Sequence, residues 1–219
     1  MKPKFPTPCL CYIVDGTTYD QTPLDEVLDQ GVNMVQIREK ESPIKPILTL
    51  AHKIRNITSG SALLVVNQHI DIALDCDADG VQLSERSQPQ TENIRQTIPD
   101  LLIGCSVHSL KAALTAEASG ADFLVVGTIF TSKSHPLIPP TSPGLLSSIA
   151  QSTRIPFIAI GGINSANVNK VIEAGAWGAA VISTILSSKD PGQTSKKLKE
   201  VMKESWCEST TAYGRPTID

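Results

Sequence analysis

Much that would place a chain quickly is missing from these 219 residues. There is no pair of CxxC elements, which argues against a structural zinc site. The five cysteines, Cys9, Cys11, Cys76, Cys105 and Cys207, are odd in number and scattered, so a reducing cytoplasm is the natural compartment. No apolar segment approaches the roughly 18 residues that a membrane span needs. Excess positive charge is also absent: net charge is −3 and the isoelectric point about 5.8. The electrostatics therefore give no support for a nucleic-acid partner. No GxGxxG follows a strand-like run, which counts against a dinucleotide-binding fold. The N-terminal "MKPKFPTPCLCYIVDG" has only a short apolar run, interrupted by proline and followed by Asp15, and reads as a strand rather than a signal peptide.

What is present is one short pattern, repeated. With 41% hydrophobic and 19% charged residues the chain can bury a sizeable core. Its length suits one α/β barrel domain. Apolar, β-branched runs begin at residues 10, 34, 62, 80, 102, 123, 156 and 178, which is 18 to 33 residues apart, the length of one βα unit. They are "LCYIVDG", "MVQIRE", "ALLVVN", "GVQLSE", "LIGCSV", "FLVVGTIF", "PFIAIGG" and "GAAVIST". Between them lie helical patterns such as 109–119, with Ser109 as N-cap, and 165–175, opening at Asn164 and Ser165. Four strands are preceded by glycine signals, "DQGVN", "CDADG", "ASGAD" and "EAGAWG", which suit a left-handed helix end. Eight such units predict an α/β fold, a single closed (β/α)8 TIM barrel, in preference to an open doubly wound sheet. The expected division is an N-terminal extension over 1–9, the barrel over 10–203 and a C-terminal tail over 204–219. The basic run "KKLKEVMK" (196–203) reads as a solvated helix face.

In such barrels reactive groups gather at the C-terminal strand ends. After strand 7, Gly161 and Gly162 let a ligand approach the backbone, and Ser183 and Thr184 follow strand 8. The loops after these two strands recur as a phosphate site, because exposed N–H groups favour anions. Strand 2 carries Gln36 and Arg38 on one face, with Lys40 just beyond, placed for a second anionic group. A glutamine in an apolar strand needs a polar partner. Strand 3 ends in Asn67, able to donate to and accept from a heteroaromatic ring, then Gln68, His69 and Asp71. Strand 5 offers Ser106 and His108, the latter either a structural hydrogen-bonder or a catalytic group. The hydroxyl- and proline-rich stretch 131–143 after strand 6 is long enough to be functional and carries Lys133 and His135. His135 is either an acid/base near neutral pH or a cover for the mouth.

These strand ends, in this order, resemble the thiamine phosphate synthase family and its relatives, the TenI-like thiazole tautomerases. The matching stretches, "MVQIREK", "LLVVNQHIDIALDCDADGVQLSE", "IGCSVHSLKAALTAEASGADFLVVGTIF" and "IPFIAIGGINSANVNKVIEAGAWGAAVIS", are colinear over about residues 10–186. The resemblance implies a TIM barrel binding a thiazole phosphate and, in the synthase, a pyrimidine pyrophosphate whose Mg²⁺ is held by aspartates after strands 3 and 4. Here those positions carry Gln68 and Ser87. Gln82 stands where strand 4 of the family has histidine, and His135 where the strand 6 loop has lysine.

With the metal carboxylates missing and "SVHSL" after strand 5, the chain looks closer to the TenI-like branch. The expected activity is then a thiazole tautomerase, an isomerase that aromatises a carboxythiazole phosphate by proton transfer, with no cofactor and no metal. Its histidine position is Thr128, leaving His135, and beside it His108, as candidate acid/base groups. Gln36, Arg38, Lys40, Asn67, Ser106 and Thr128 are the expected substrate contacts; Gly161, Gly162, Ser183 and Thr184 are the phosphate contacts. The alternatives are an Mg²⁺-dependent thiamine phosphate synthase with rearranged metal ligands, for which Glu85 after strand 4 is the candidate, and a non-catalytic binder of thiazole phosphate. The expected partner is a small phosphorylated thiazole, with neither nucleic acid nor membrane, and a homo-oligomer is compatible with the sequence.

Overall fold

The computed structural model describes residues 2–39, 42–131, 140–141, 143–213 and 216. Eight parallel strands close into a barrel in chain order, β1 Cys9–Val14, β2 Met34–Ile37, β3 Leu63–Asn67, β4 Gly80–Leu83, β5 Leu102–Val107, β6 Phe123–Gly127, β7 Phe157–Ile160 and β8 Gly178–Val181. All eight apolar runs are therefore strands. The strands end earlier than several of the runs: 128–130 form a loop, and Ser183 and Thr184 already open a helix.

Alternation along each strand divides the apolar residues between two clusters. Cys9, Cys11, Ile13, Met34, Val65, Phe123 and Ile158 fill the inside of the barrel. Leu10, Tyr12, Val14, Val35 and Ile37 pack outward, into the layer shared with the helices. Among the described residues those helices are α1 Gly16–Gln21, α2 Leu24–Asp29, α3 Ile44–Thr58, α4 Ile70–Asp75, α5 Thr91–Thr97, α6 Leu110–Ala118, α7 Pro143–Ser152, α8 Val168–Glu173, α9 Ser183–Leu186 and α10 Pro191–Tyr213. Asp71 lies in the first turn of α4, and Ser109 caps α6 by accepting from the Ala112 N–H at 3.1 Å.

Three expectations change. The "CDADG" signal does not work through its glycine: Asp77 takes the left-handed turn at φ 53°, and Gly80 is already β4, where a Cβ would lie 2.7 Å from Leu102 O. The helix expected from Asn164 and Ser165 begins only at Val168, because Asn164 and Asn167 bond to each other's turn instead. In "KKLKEVMK" Lys196, Lys197 and Lys203 are exposed, but Lys199 turns under the barrel and donates to Pro8 O at 2.5 Å. Burial pushes its ammonium down to about 8.

The helix α10 continues through residue 203 and buries Trp206, whose ring meets Trp177 edge-on at 5.6 Å. Phe5 closes the bottom of the barrel against Phe123 at 5.2 Å. No helix among the described residues is long and apolar enough to cross a membrane.

Candidate functional site at the barrel mouth

A cavity of about 300 Å³ opens at the C-terminal ends of the strands. Arg38, Gln36, Asn67, Ser106, His108, Thr128, Gly161, Gly162, Ser183 and Thr184 all line it. Lys40 and His135, together with Lys133, lie outside the described residues. Gln82, at the family's histidine position, and Glu85 line it as well.

One wall is polar. Gln36 Nε2 approaches Asn67 Oδ1 at 3.5 Å, joining β2 to β3. Gln82 Nε2 donates to Ser106 Oγ at 3.0 Å, joining β4 to β5. Gln82 is 1% exposed, and its Oε1 is buried without a hydrogen-bond partner among the described residues. It fits because Gly104, its register partner on β5, has no Cβ to occupy the same space. Arg38 stands beyond Gln36, and partial burial lowers its pKa from the usual guanidinium value. Burying a cation beside neutral amides favours an anionic ligand that would pair with it.

The opposite wall is small and apolar, formed by Ile13, Val125, Gly127, Ile160, Ala180 and Ile182. Above it Gly161 and Gly162 turn with φ of 105° and 63°, in the left-handed region where glycine is unstrained. Ser183 opens α9 directly behind β8. The Thr184 hydroxyl is already engaged, donating to Ile163 O at 2.5 Å. Its proton is therefore committed to the fold.

Glu85 begins the turn after β4 and binds His108 from β5. Beside it, at the rim between β3 and β4, Ser87 Oγ donates to Gln68 Oε1 at 3.1 Å. Ser84 Oγ lies 2.9 Å from Ser87 Oγ and 3.4 Å from Gln68 Oε1. Periodicity alone gives no sign of this triangle, because its members lie on two separate loops.

Comparison with known proteins follows the same outline. A model of the TMP-TENI family, described as thiamine monophosphate synthase, matches residues 10–185. A thiamine-phosphate synthase of Shouchella clausii is 36% identical over 184 residues, 83% of this chain and 88% of that one. One from Clostridium acetobutylicum is 37% identical over 183 residues, 83% and 87% of the two chains. The structure of thiamine phosphate pyrophosphorylase from Pyrococcus furiosus superposes with a TM-score of 0.79 at 32% identity, covering 91% of this chain and 98% of that one. These likenesses overturn the expectation of a tautomerase: the relatives bear the name of a synthase, a transferase and not an isomerase. The departures at a few strand ends weigh less than colinear similarity over most of the chain.

The family is in general magnesium-dependent, but the donor set at this rim does not fit a magnesium ion. Mg²⁺ held through side chains ordinarily uses one or two carboxylates. Gln68, Ser84 and Ser87 are neutral and bonded to one another, and Glu85 is occupied by His108. Among the described residues no group of three His, Cys, Asp or Glu side chains is placed to hold a metal ion.

Proposed function

The chain belongs to the TMP-TENI, thiamine monophosphate synthase, family, and on that premise we propose that it joins a hydroxymethylpyrimidine pyrophosphate to a thiazole phosphate. In that transfer the bond from the pyrimidine's methylene carbon to the pyrophosphate oxygen breaks, and the pyrophosphate leaves with the electron pair. The thiazole nitrogen forms the new bond to the same carbon.

The observation that carries this reading is the two-sided mouth. On the polar wall, Gln36, Asn67, Gln82 and Ser106 offer amide and hydroxyl groups to a heteroaromatic ring, and Arg38 offers charge to its pyrophosphate. On the other side, the Gly161–Gly162 turn and Ser183 line the cavity and supply the backbone that would bind the thiazole's phosphate. Thr128 also lines the cavity, and Lys40, with His135 at the position of the family's lysine, would serve the pyrophosphate. Holding both rings in one cavity supplies the orientation that a two-substrate transfer needs. Four buried thiols agree with a cytoplasmic setting.

One observation favours a second reading: the neutral Gln68–Ser84–Ser87 rim suits a binder of thiazole phosphate that does not turn over. The purified chain, mixed with both substrates with and without Mg²⁺ and assayed chromatographically for thiamine phosphate, separates the two. Product supports the synthase. Calorimetric binding of thiazole phosphate without product supports the binder, and absence of both overturns the site.

A further inference from the structure

The rim between β3 and β4 keeps the spacing of a cation site without its charge. Its three oxygens are 2.9, 3.1 and 3.4 Å apart. An octahedral Mg²⁺ with bonds of about 2.0–2.1 Å sets neighbouring ligands roughly 2.9 Å from each other. Spacing is thus close to what one face of such a shell requires. The chemistry is opposite: one amide and two hydroxyls satisfy each other, and a cation would have to break those bonds without gaining a carboxylate.

Nearby charge does not make up the difference. Glu85 Oε2 takes the backbone N–H of His108 at 3.0 Å and its ring Nδ1 at 2.7 Å. Arg38, within the same cavity, repels a dication. We propose that the rim formed by Gln68, Ser84 and Ser87 holds no divalent cation with its own side chains, because their mutual hydrogen bonds have replaced the charge such an ion needs. The inference rests on the family reading for the expectation of magnesium, but not on turnover.

The same geometry names the two positions that would restore a site. Carboxylates at 68 and 87 would face each other across the present 3.1 Å hydrogen bond. Gln68 sits at φ 61°, a conformation in which aspartate is several-fold enriched, so Asp is compatible with the backbone there.

The test titrates Mn²⁺, as a stand-in for Mg²⁺, into the full chain and into the Gln68→Asp/Ser87→Asp variant without substrates. Free aqueous Mn²⁺ is followed by its electron paramagnetic resonance signal. The wild type should leave the signal unchanged over a range where the variant removes about one equivalent, binding at least about tenfold more tightly. Stoichiometric loss of signal with the wild type overturns the proposal. So does a folded variant that binds no better than the wild type. Circular dichroism checks folding, and Ser87→Asp alone carries the comparison if the double variant does not fold. Failure of the synthase reading would appear as missing product in the condensation assay, with the Mn²⁺ result unaffected.

Discussion

Glu85 Oε2 accepts both N–H groups of His108, the backbone one at 3.0 Å and ring Nδ1 at 2.7 Å. A carboxylate has no proton to give, so Nδ1 carries the hydrogen of this bond. The pair bridges the ends of β4 and β5 and lines the mouth. Both side chains are substantially exposed, so Glu85→Gln should cost at most about 1 kcal/mol of stability. Losing one charge-assisted hydrogen bond at the mouth should lower kcat/KM for the condensation about tenfold. Urea unfolding beside steady-state kinetics reads both; a large stability loss with normal kinetics would make the pair purely structural.

Gln82→Met should leave stability within about 1 kcal/mol of wild type, because removing the unsatisfied acceptor offsets the hydrogen bond lost to Ser106. Gln82→Glu should cost about 3 kcal/mol or more, since it buries a charge with no partner. Denaturant midpoints of the two variants settle the order.

Gly161→Ala should cost about 1–3 kcal/mol. Its φ of 105° is unfavourable for any Cβ, and the added methyl would run into Thr128. The same substitution should abolish calorimetric binding of thiazole phosphate if that turn cradles the phosphate.

Lys199 makes stability pH-dependent in a definite direction. Its ammonium titrates near 8 in the folded chain, against 10.5 when free. Below about 8 both states are protonated and the folded state bears the full cost of a buried charge. Between 8 and 10.5 the unfolded chain binds more protons, so stability from this group rises with pH. Lys199→Met should therefore gain more at pH 7 than at pH 9.5, by on the order of 1–2 kcal/mol. Paired urea titrations at the two pH values give that difference; an equal gain at both would show that Lys199 stays charged.

Of the five thiols only Cys207 is exposed. Burial pushes Cys9 up to about 12 and raises Cys11, Cys76 and Cys105 as well, which withholds the reactive thiolate. A disulfide reagent at pH 8 should titrate one thiol quickly and the other four only after guanidinium is added.

The barrel was legible because its cause is local. Runs such as "FLVVG" and "GAAV" are apolar on both faces, which suits a parallel strand covered on both sides. Their spacing leaves room for little except a helix between each pair. Mouth residues were legible for a related reason: a strand end is a fixed address, and Gln36, Asn67 and Ser106 stand at such addresses among apolar neighbours. The activity was misread from the same places. Gln68 and Ser87, read alone, argue against a synthase, whereas similarity over 83% of the chain points to one.

By itself, then, the sequence determined the closed eight-strand barrel and the strand ends that face its mouth, because hydrophobic period and chain spacing act within single βα units. Only the tertiary structure decided which polar groups satisfy each other. Gln82 reaches Ser106 over a glycine on the next strand, Ser87 closes on Gln68 across two loops, and Lys199 finds Pro8 from 191 residues away. Each is a hydrogen bond a few ångströms long between residues distant along the chain, and such distances exist only once the barrel has closed.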